Sequence, residues 1–103
     1  MYIFLVVEDE QYVRDSVVFI LTELNGGQGV LSAENGASAL AILDKTHVDA
    51  VITDIMMPVM DGIELLKAVS KRDEKIATAV LSGYDDFDYI QNSMSCGAID
   101  YIL

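Results

Sequence analysis

The 103-residue chain is poor in basic residues: six Lys and Arg stand against 17 Asp and Glu, for a formal net charge of −11. Because binding to nucleic acid depends on neutralising phosphates with Lys and Arg, this charge argues against nucleic acid as a direct partner. A single cysteine, Cys96, excludes an internal disulfide and is typical of a reducing cytoplasm. No apolar run approaches the roughly 20 residues that a membrane helix requires, so we expect no membrane segment.

Apolar residues, by contrast, are plentiful and occur in short, regularly spaced runs. They make up 52% of the sequence, which is enough for one domain to bury a core. Five runs are short enough for strands, and segments with helical periodicity alternate with them. This alternation predicts an α/β fold with a parallel sheet and right-handed crossovers. The predicted strands are Ile3–Val7, Gly29–Ser32, Val48–Thr53, Ala77–Leu81 and Ile99–Leu103.

Four apolar stripes mark the predicted helices between these strands. Each stripe follows the three- and four-residue spacing that places side chains on one buried helix face. The first stripe consists of Val13, Val17, Ile20, Leu21 and Leu24, the second of Leu40 and Leu43, the third of Ile63, Leu66 and Val69, and the fourth of Phe87, Ile90 and Met94.

Acidic and hydroxyl side chains follow three of the predicted strands, at the sheet edge where α/β folds bind ligands. These residues are Glu8 and Asp9 after the first strand, Asp54 after the third and Ser82 after the fourth. Crowded carboxylates repel each other unless a cation intervenes, and oxygen ligands without a His or Cys cluster favour Mg²⁺ or Mn²⁺. Asp54 could then attack a phosphoryl group, with Ser82 bonded to a phosphoryl oxygen. The alternative is that these acidic residues are solvated loop caps.

The segment from Asp54 to Gly62 resembles the signature around the phosphoacceptor aspartate of bacterial two-component response-regulator receiver domains. The acidic residues after the first strand, Ser82, and Asp100–Tyr101 fall where other motifs of that family fall, so the resemblance covers the whole chain. It implies a flavodoxin-like, doubly wound parallel sheet of five strands in the order 2-1-3-4-5. The segment Leu81–Phe87 is similar to receivers fused to AraC-type DNA-binding domains.

The resemblance also implies roles at the phosphorylation site. Asp54 corresponds to the residue that takes a phosphoryl group from a sensor histidine kinase. Asp9 and Asp54 would bind Mg²⁺ through their side chains, with the backbone carbonyl of Met56 as a third protein ligand. Glu8 would belong to the site through a metal-bound water. The domain itself is then a phosphoacceptor and not an enzyme that turns over an external substrate.

Two further positions correspond to the switch of the family. Ser82 matches the hydroxyl that moves toward the phosphoryl group, and Tyr101 matches the aromatic ring that turns inward with it. The output face would be the fourth helix and the fifth strand, and it would act on an output domain or partner protein. A dimer through this face, or through an exchanged element, is a further expectation.

The chain departs from the family pattern at its end. The family's phosphate-pairing lysine is expected directly after Leu103, and a fifth helix after that. We therefore expect residues 1–103 to form a receiver domain that is truncated at its C-terminal end and lacks the fifth helix. Switching is expected to be impaired, and one face of the sheet near Ile99–Leu103 should be uncovered unless a partner or an exchanged element fills it.

Two other functions remain open from the residues alone. Metal-dependent phosphatases of the haloacid-dehalogenase type are also α/β proteins with an aspartate nucleophile. They carry a second aspartate two residues after the first, and here that position is Met56. A non-signalling, flavodoxin-like binding domain is less well supported, because the strand ends offer carboxylates where a flavin phosphate needs N–H and hydroxyl donors.

Overall fold

The protein is a parallel five-stranded sheet with helices between the strands. The computed structural model describes residues 2–54, 57, 60–72 and 75–81, together with the backbone of 100–102. All neighbouring strands pair in parallel, in the order β2-β1-β3-β4-β5. The strands are β1 (Phe4–Val7), β2 (Val30–Ala33), β3 (Ala50–Asp54), β4 (Ala77–Leu81) and β5 (Asp100–Ile102), and the helices are α1 (Gln11–Leu24), α2 (Gly36–Lys45) and α3 (Gly62–Ser70).

This architecture confirms the predicted flavodoxin-like α/β sheet and its strand order, with differences only at strand ends. β2 begins at Val30 because Gly29 has a φ of 82°, which a strand cannot accommodate. β3 extends to Asp54, which pairs in register with Leu81 of β4. The predicted fourth helix and its stripe lie outside the described residues. None of the helices that the structure describes is long and apolar enough to cross a membrane.

The main core lies between the sheet and the pair α2 and α3. Successive residues of a strand point to opposite faces, so Leu5 and Val7 of β1 share the face that these two helices cover. Full burial of a side chain of this size contributes roughly 1.5–3 kcal/mol, and the cluster therefore anchors β1 and β3 at the centre of the sheet. The buried members of the cluster are Leu5, Val7, Ala33, Ala39, Leu43, Val48, Val51, Met57, Leu65 and Val69.

Helix α1, on the other side of the sheet, is less buried than its apolar stripe predicts. It packs on β1 and β2 but contains no buried residue. Val13, Ile20 and Leu24 are 42%, 56% and 80% exposed, so burial of the whole stripe was a wrong expectation. Periodicity shows which face of a helix is apolar, whereas burial requires a covering neighbour, and nothing in the described part of the chain covers these three side chains.

The first residue of α2 sits against the chain just before α3. A Cβ atom added at Gly36 would lie 2.6 Å from Sδ and 3.0 Å from Cβ of Met60, so no rotation of the Met60 thioether alone makes room. Met60 is in turn packed against the core. The absence of a side chain at Gly36 therefore allows α2 to approach the segment that follows β3.

We expect Gly36→Ala to lower the free energy of unfolding by about 1–3 kcal/mol, since overpacking outweighs the better helix propensity of alanine. Urea denaturation followed by circular dichroism measures this loss. The matched control is the pair Gly36→Ala/Met60→Ala, in which the 2.6 Å contact with Sδ is gone and only the 3.0 Å contact with Cβ remains, so Gly36→Ala should cost less there. Equal losses from Gly36→Ala in the presence and absence of the Met60 side chain would contradict the packing explanation.

Candidate functional site

Three carboxylates meet at the carboxyl edge of the sheet. β1 and β3 are neighbours with Val7 opposite Thr53, so the residues that follow them arrive at the same level. Glu8 and Asp9 come directly after β1, and Asp54 is the last residue of β3. One carboxylate oxygen from each of the three lies within 4.8 Å of the others. The structure thus brings together the three acidic residues that the sequence predicts for the site.

Glu8 is the buried member of this carboxylate cluster (Glu8, Asp9 and Asp54). Only 4% of the residue is exposed, and its Oε2 has no hydrogen-bond partner among the described residues. Burial raises the pKa of Glu8 to about 8, with further contributions from a hydrogen bond with Asp54 and from the negative charges of Asp54, Asp9 and Glu10. The carboxylate cluster therefore holds more negative charge than it can stabilise without a proton or a cation.

These residues fit a hard divalent cation. The donors are all carboxylate oxygens, the ligands that Mg²⁺ prefers, and the buried Oε2 of Glu8 is an acceptor that lacks a donor. A dication would also offset the repulsion that raises the pKa of Glu8. Within the described residues, neither His nor Cys belongs to this group, which disfavours zinc.

Backbone hydrogen bonds hold the two strand ends in place. The Glu8 N–H donates to the carbonyl of Ala33 in β2 at 3.1 Å, and Nη1 of Arg14 donates to the carbonyl of Glu8 at 2.9 Å. On the neighbouring strand, the buried Thr53 hydroxyl donates to the Asp54 carbonyl at 2.8 Å. The three carboxylates thus project from backbone that is anchored on both strands.

Three further residues are predicted for the site, namely Met56, Ser82 and Tyr101. Met56 and Ser82 lie outside the described residues, and of Tyr101 only the backbone is described, in β5 opposite Val80. Their roles stay predictions. Sequence reasoning missed Arg14, although one signal was available: it is the only Lys or Arg among the first 44 residues, in an otherwise acidic stretch.

Comparison with known proteins points to one family. The sequence profile of the response regulator receiver domain matches residues 4–103. The chain is 36% identical over 104 residues to the transcriptional regulatory protein YesN of Bacillus subtilis. This alignment covers all of the present chain but only 28% of the length of YesN. It is 35% identical over 99 residues to the sporulation initiation phosphotransferase F of the same organism, covering 94% of this chain and 77% of the relative.

A solved structure supports the same similarity. The response regulator protein TrrA of Thermotoga maritima, in complex with Mg²⁺ and BeF, superposes with a TM-score of 0.86 at 30% identity. The match covers all of this chain and 86% of that one. The sequence and structural matches extend over all the elements that carry the three carboxylates.

Proposed function

Because the chain belongs to the family of response regulator receiver domains, which are phosphorylation-dependent switches, we propose that Asp54 is its phosphoacceptor. A sensor histidine kinase would supply the phosphoryl group, and Mg²⁺ would be bound beside it. The observation that supports this proposal is the convergence of the Glu8, Asp9 and Asp54 carboxylates within 4.8 Å at the carboxyl edge of the sheet. The family match likewise favours a receiver over the phosphatase alternative.

The proposed transfer needs one nucleophile and one leaving group. A carboxylate oxygen of Asp54 forms a bond to phosphorus, the phosphorus–nitrogen bond of the kinase's phosphohistidine breaks, and its electron pair returns to the imidazole nitrogen. Mg²⁺, when bound, neutralises charge on the phosphoryl oxygens. Asp9, Asp54 and the carbonyl of Met56 would hold it, with Glu8 acting through a bound water.

Glu8 has a second part in this proposal, as the proton carrier of the carboxylate cluster. With its pKa raised to about 8, Glu8 is largely protonated at neutral pH when the metal is absent. The protonated carboxyl can donate its O–H to Asp54, with which it shares a hydrogen bond. A bound cation would stabilise the ionised form of Glu8, which would then give up this proton to solvent.

Switching would follow from the charge added at Asp54. Phosphorylation adds about −1.5 to −2 at an already acidic site. Moving a 1:99 equilibrium to 99:1 requires about 5.5 kcal/mol, which is more than one hydroxyl hydrogen bond supplies. We therefore propose that Ser82 and Tyr101 share this work with the metal and with partner contacts.

The proposed partners are a histidine kinase and an output domain or partner protein. The similarity of Leu81–Phe87 to receivers fused to AraC-type DNA-binding domains supports an output domain of that type. We place this output in the cytoplasm and propose that it is transcriptional, in line with the name of YesN as a transcriptional regulatory protein. Dimerisation through the face of the predicted fourth helix and β5, or through an exchanged element, completes the proposal.

The stoichiometry of phosphorylation tests this function. Incubation with acetyl phosphate and Mg²⁺ is expected to incorporate up to one phosphoryl group per chain, detected by intact-mass spectrometry, without sustained hydrolysis of p-nitrophenyl phosphate. A phosphatase would show the opposite, namely continuous release of phosphate over many equivalents of protein. Sustained, metal-dependent turnover that Asp54→Asn abolishes would replace the receiver function with the phosphatase alternative.

A further inference from the structure

Arg14 is the cation nearest in sequence to the carboxylate cluster, yet it does not neutralise that cluster. It lies in the first turns of α1, and its guanidinium donates from Nη1 to the backbone carbonyl of Glu8 at 2.9 Å. Among the described residues it forms no ion pair with a carboxylate, and its charge is not among the causes of the raised pKa of Glu8. Its contact with the site is therefore to the backbone and not to the acidic side chains.

The carbonyl of Glu8 lies where the hydrogen-bonded ladder of β1 ends. β1 is paired with β2 up to Val7, and the Glu8 N–H still donates to the carbonyl of Ala33. The chain then passes through Asp9 and Glu10 into α1, and the Arg14 guanidinium takes the place of a neighbouring strand as donor to the Glu8 carbonyl. The peptide between Glu8 and Asp9 is thus held by a donor from outside the sheet.

The surroundings of Arg14 explain how it can make this bond without a carboxylate partner. It lines a solvent-open cavity of about 300 Å³ together with Ser32, Ala33, Glu34 and Ser38. A hydrated guanidinium keeps its charge at little desolvation cost, and a charged donor makes a stronger bond to a carbonyl than a neutral one. The guanidinium thus combines one hydrogen bond to the Glu8 carbonyl with a position at an open cavity.

We propose that Arg14 is a positioning residue for the metal site: through the Glu8 carbonyl it orients the peptide from which the Glu8 and Asp9 carboxylates project. The inference rests on the proposed function, because it assumes that these carboxylates bind Mg²⁺. Partners that orient metal ligands commonly change metal affinity by about 10–100-fold when they are removed. Arg14 acts on both carboxylates that follow β1 through one backbone hydrogen bond.

The experiment measures Mg²⁺ affinity by isothermal titration calorimetry on the full chain. Arg14→Met removes the donor but keeps an unbranched apolar stem, and we expect about 10-fold weaker Mg²⁺ binding. Arg14→Lys retains a charged donor and should recover most of the affinity. The matched control is Arg72→Met, because Arg72 also donates to a backbone carbonyl, that of Leu43, but away from the carboxylate cluster. The Mg²⁺ affinity of Arg72→Met should equal that of the wild type.

A second readout uses the metal-free protein. Amide hydrogen exchange of Glu8, whose N–H donates to the carbonyl of Ala33, should be faster in Arg14→Met than in the wild type, while exchange in β3 stays unchanged. Wild-type Mg²⁺ affinity in Arg14→Met, or an equal loss in Arg72→Met, would overturn the positioning role alone. Absence of Mg²⁺ binding by the wild type would instead overturn the metal site and, with it, this inference.

Discussion

Asp54→Ala is expected to abolish phosphoryl incorporation from acetyl phosphate, a loss of more than about 100-fold, because it removes the carboxylate oxygen that is proposed to attack phosphorus. Asp54 is the last residue of β3, and its side chain belongs to the carboxylate cluster at the sheet edge. Intact-mass spectrometry after incubation with the phosphodonor and Mg²⁺ measures the effect. Folding is checked by thermal unfolding, in which the loss of stability should be small, since the substitution removes both charge repulsion and the hydrogen bond between Glu8 and Asp54.

The matched control is another aspartate of the same chain. Asp15 lies on α1 and is exposed, outside the group of carboxylates that could hold a cation. Asp15→Ala should leave incorporation at the wild-type level. Phosphorylation that survives Asp54→Ala would place the acceptor at a different residue and refute the proposed function at its central step.

The metal-free protein is expected to lose stability as the pH rises. Folding raises the pKa of Glu8 from 4.5 to about 8, so the folded state favours the protonated carboxyl. The stabilisation from this proton is complete below pH 4.5 and is lost as the pH rises through about 8. Between pH 5 and pH 9 we expect the free energy of unfolding to fall by about 2–4 kcal/mol on account of Glu8 alone. Urea denaturation in the presence of EDTA measures it.

Two variants and one change of conditions isolate the contribution of Glu8. Glu8→Gln keeps the shape but cannot ionise, so this part of the pH dependence should vanish. Glu23→Gln changes an exposed glutamate of α1 and should keep the pH dependence of the wild type. Excess Mg²⁺ at pH 8 should restore stability to the wild type, because a cation bound to the folded state replaces the proton. Identical pH profiles for the wild type and Glu8→Gln would show that Glu8 is not the group responsible.

The alternation of apolar runs and helical stripes was enough to predict most of the sheet. Strands covered on both faces need side chains that are apolar in both directions, and Leu5, Val6 and Val7 of β1 are all fully buried. Burial of α1 was predicted less well. The stripe is present in the sequence, but Ile20 and Leu24 stay exposed because burial depends on what packs beside a helix, which its own periodicity does not contain.

The candidate site was likewise predictable from the sequence only in part. Because parallel strands end at one edge, the sequence positions of Glu8, Asp9 and Asp54 already indicate that their carboxylates meet. Their separate electrostatic characters could not be predicted. Burial and a hydrogen bond with Asp54 raise the pKa of Glu8, and both depend on distances between residues 46 positions apart in the chain. The bond from Arg14 to the Glu8 carbonyl was missed because a backbone acceptor leaves no mark in a side-chain pattern.

The amino-acid sequence by itself therefore determined the order of strands and helices, the edge of the sheet that carries the carboxylates and the residue types that favour Mg²⁺. Those are properties of local periodicity and of chain direction. The tertiary structure decided that Glu8 is the buried carboxylate and that it forms a hydrogen bond with Asp54. It also decided which arginine holds the turn between β1 and α1. These depend on distances across the sheet, and the energies of buried charges change steeply with distance and hydration.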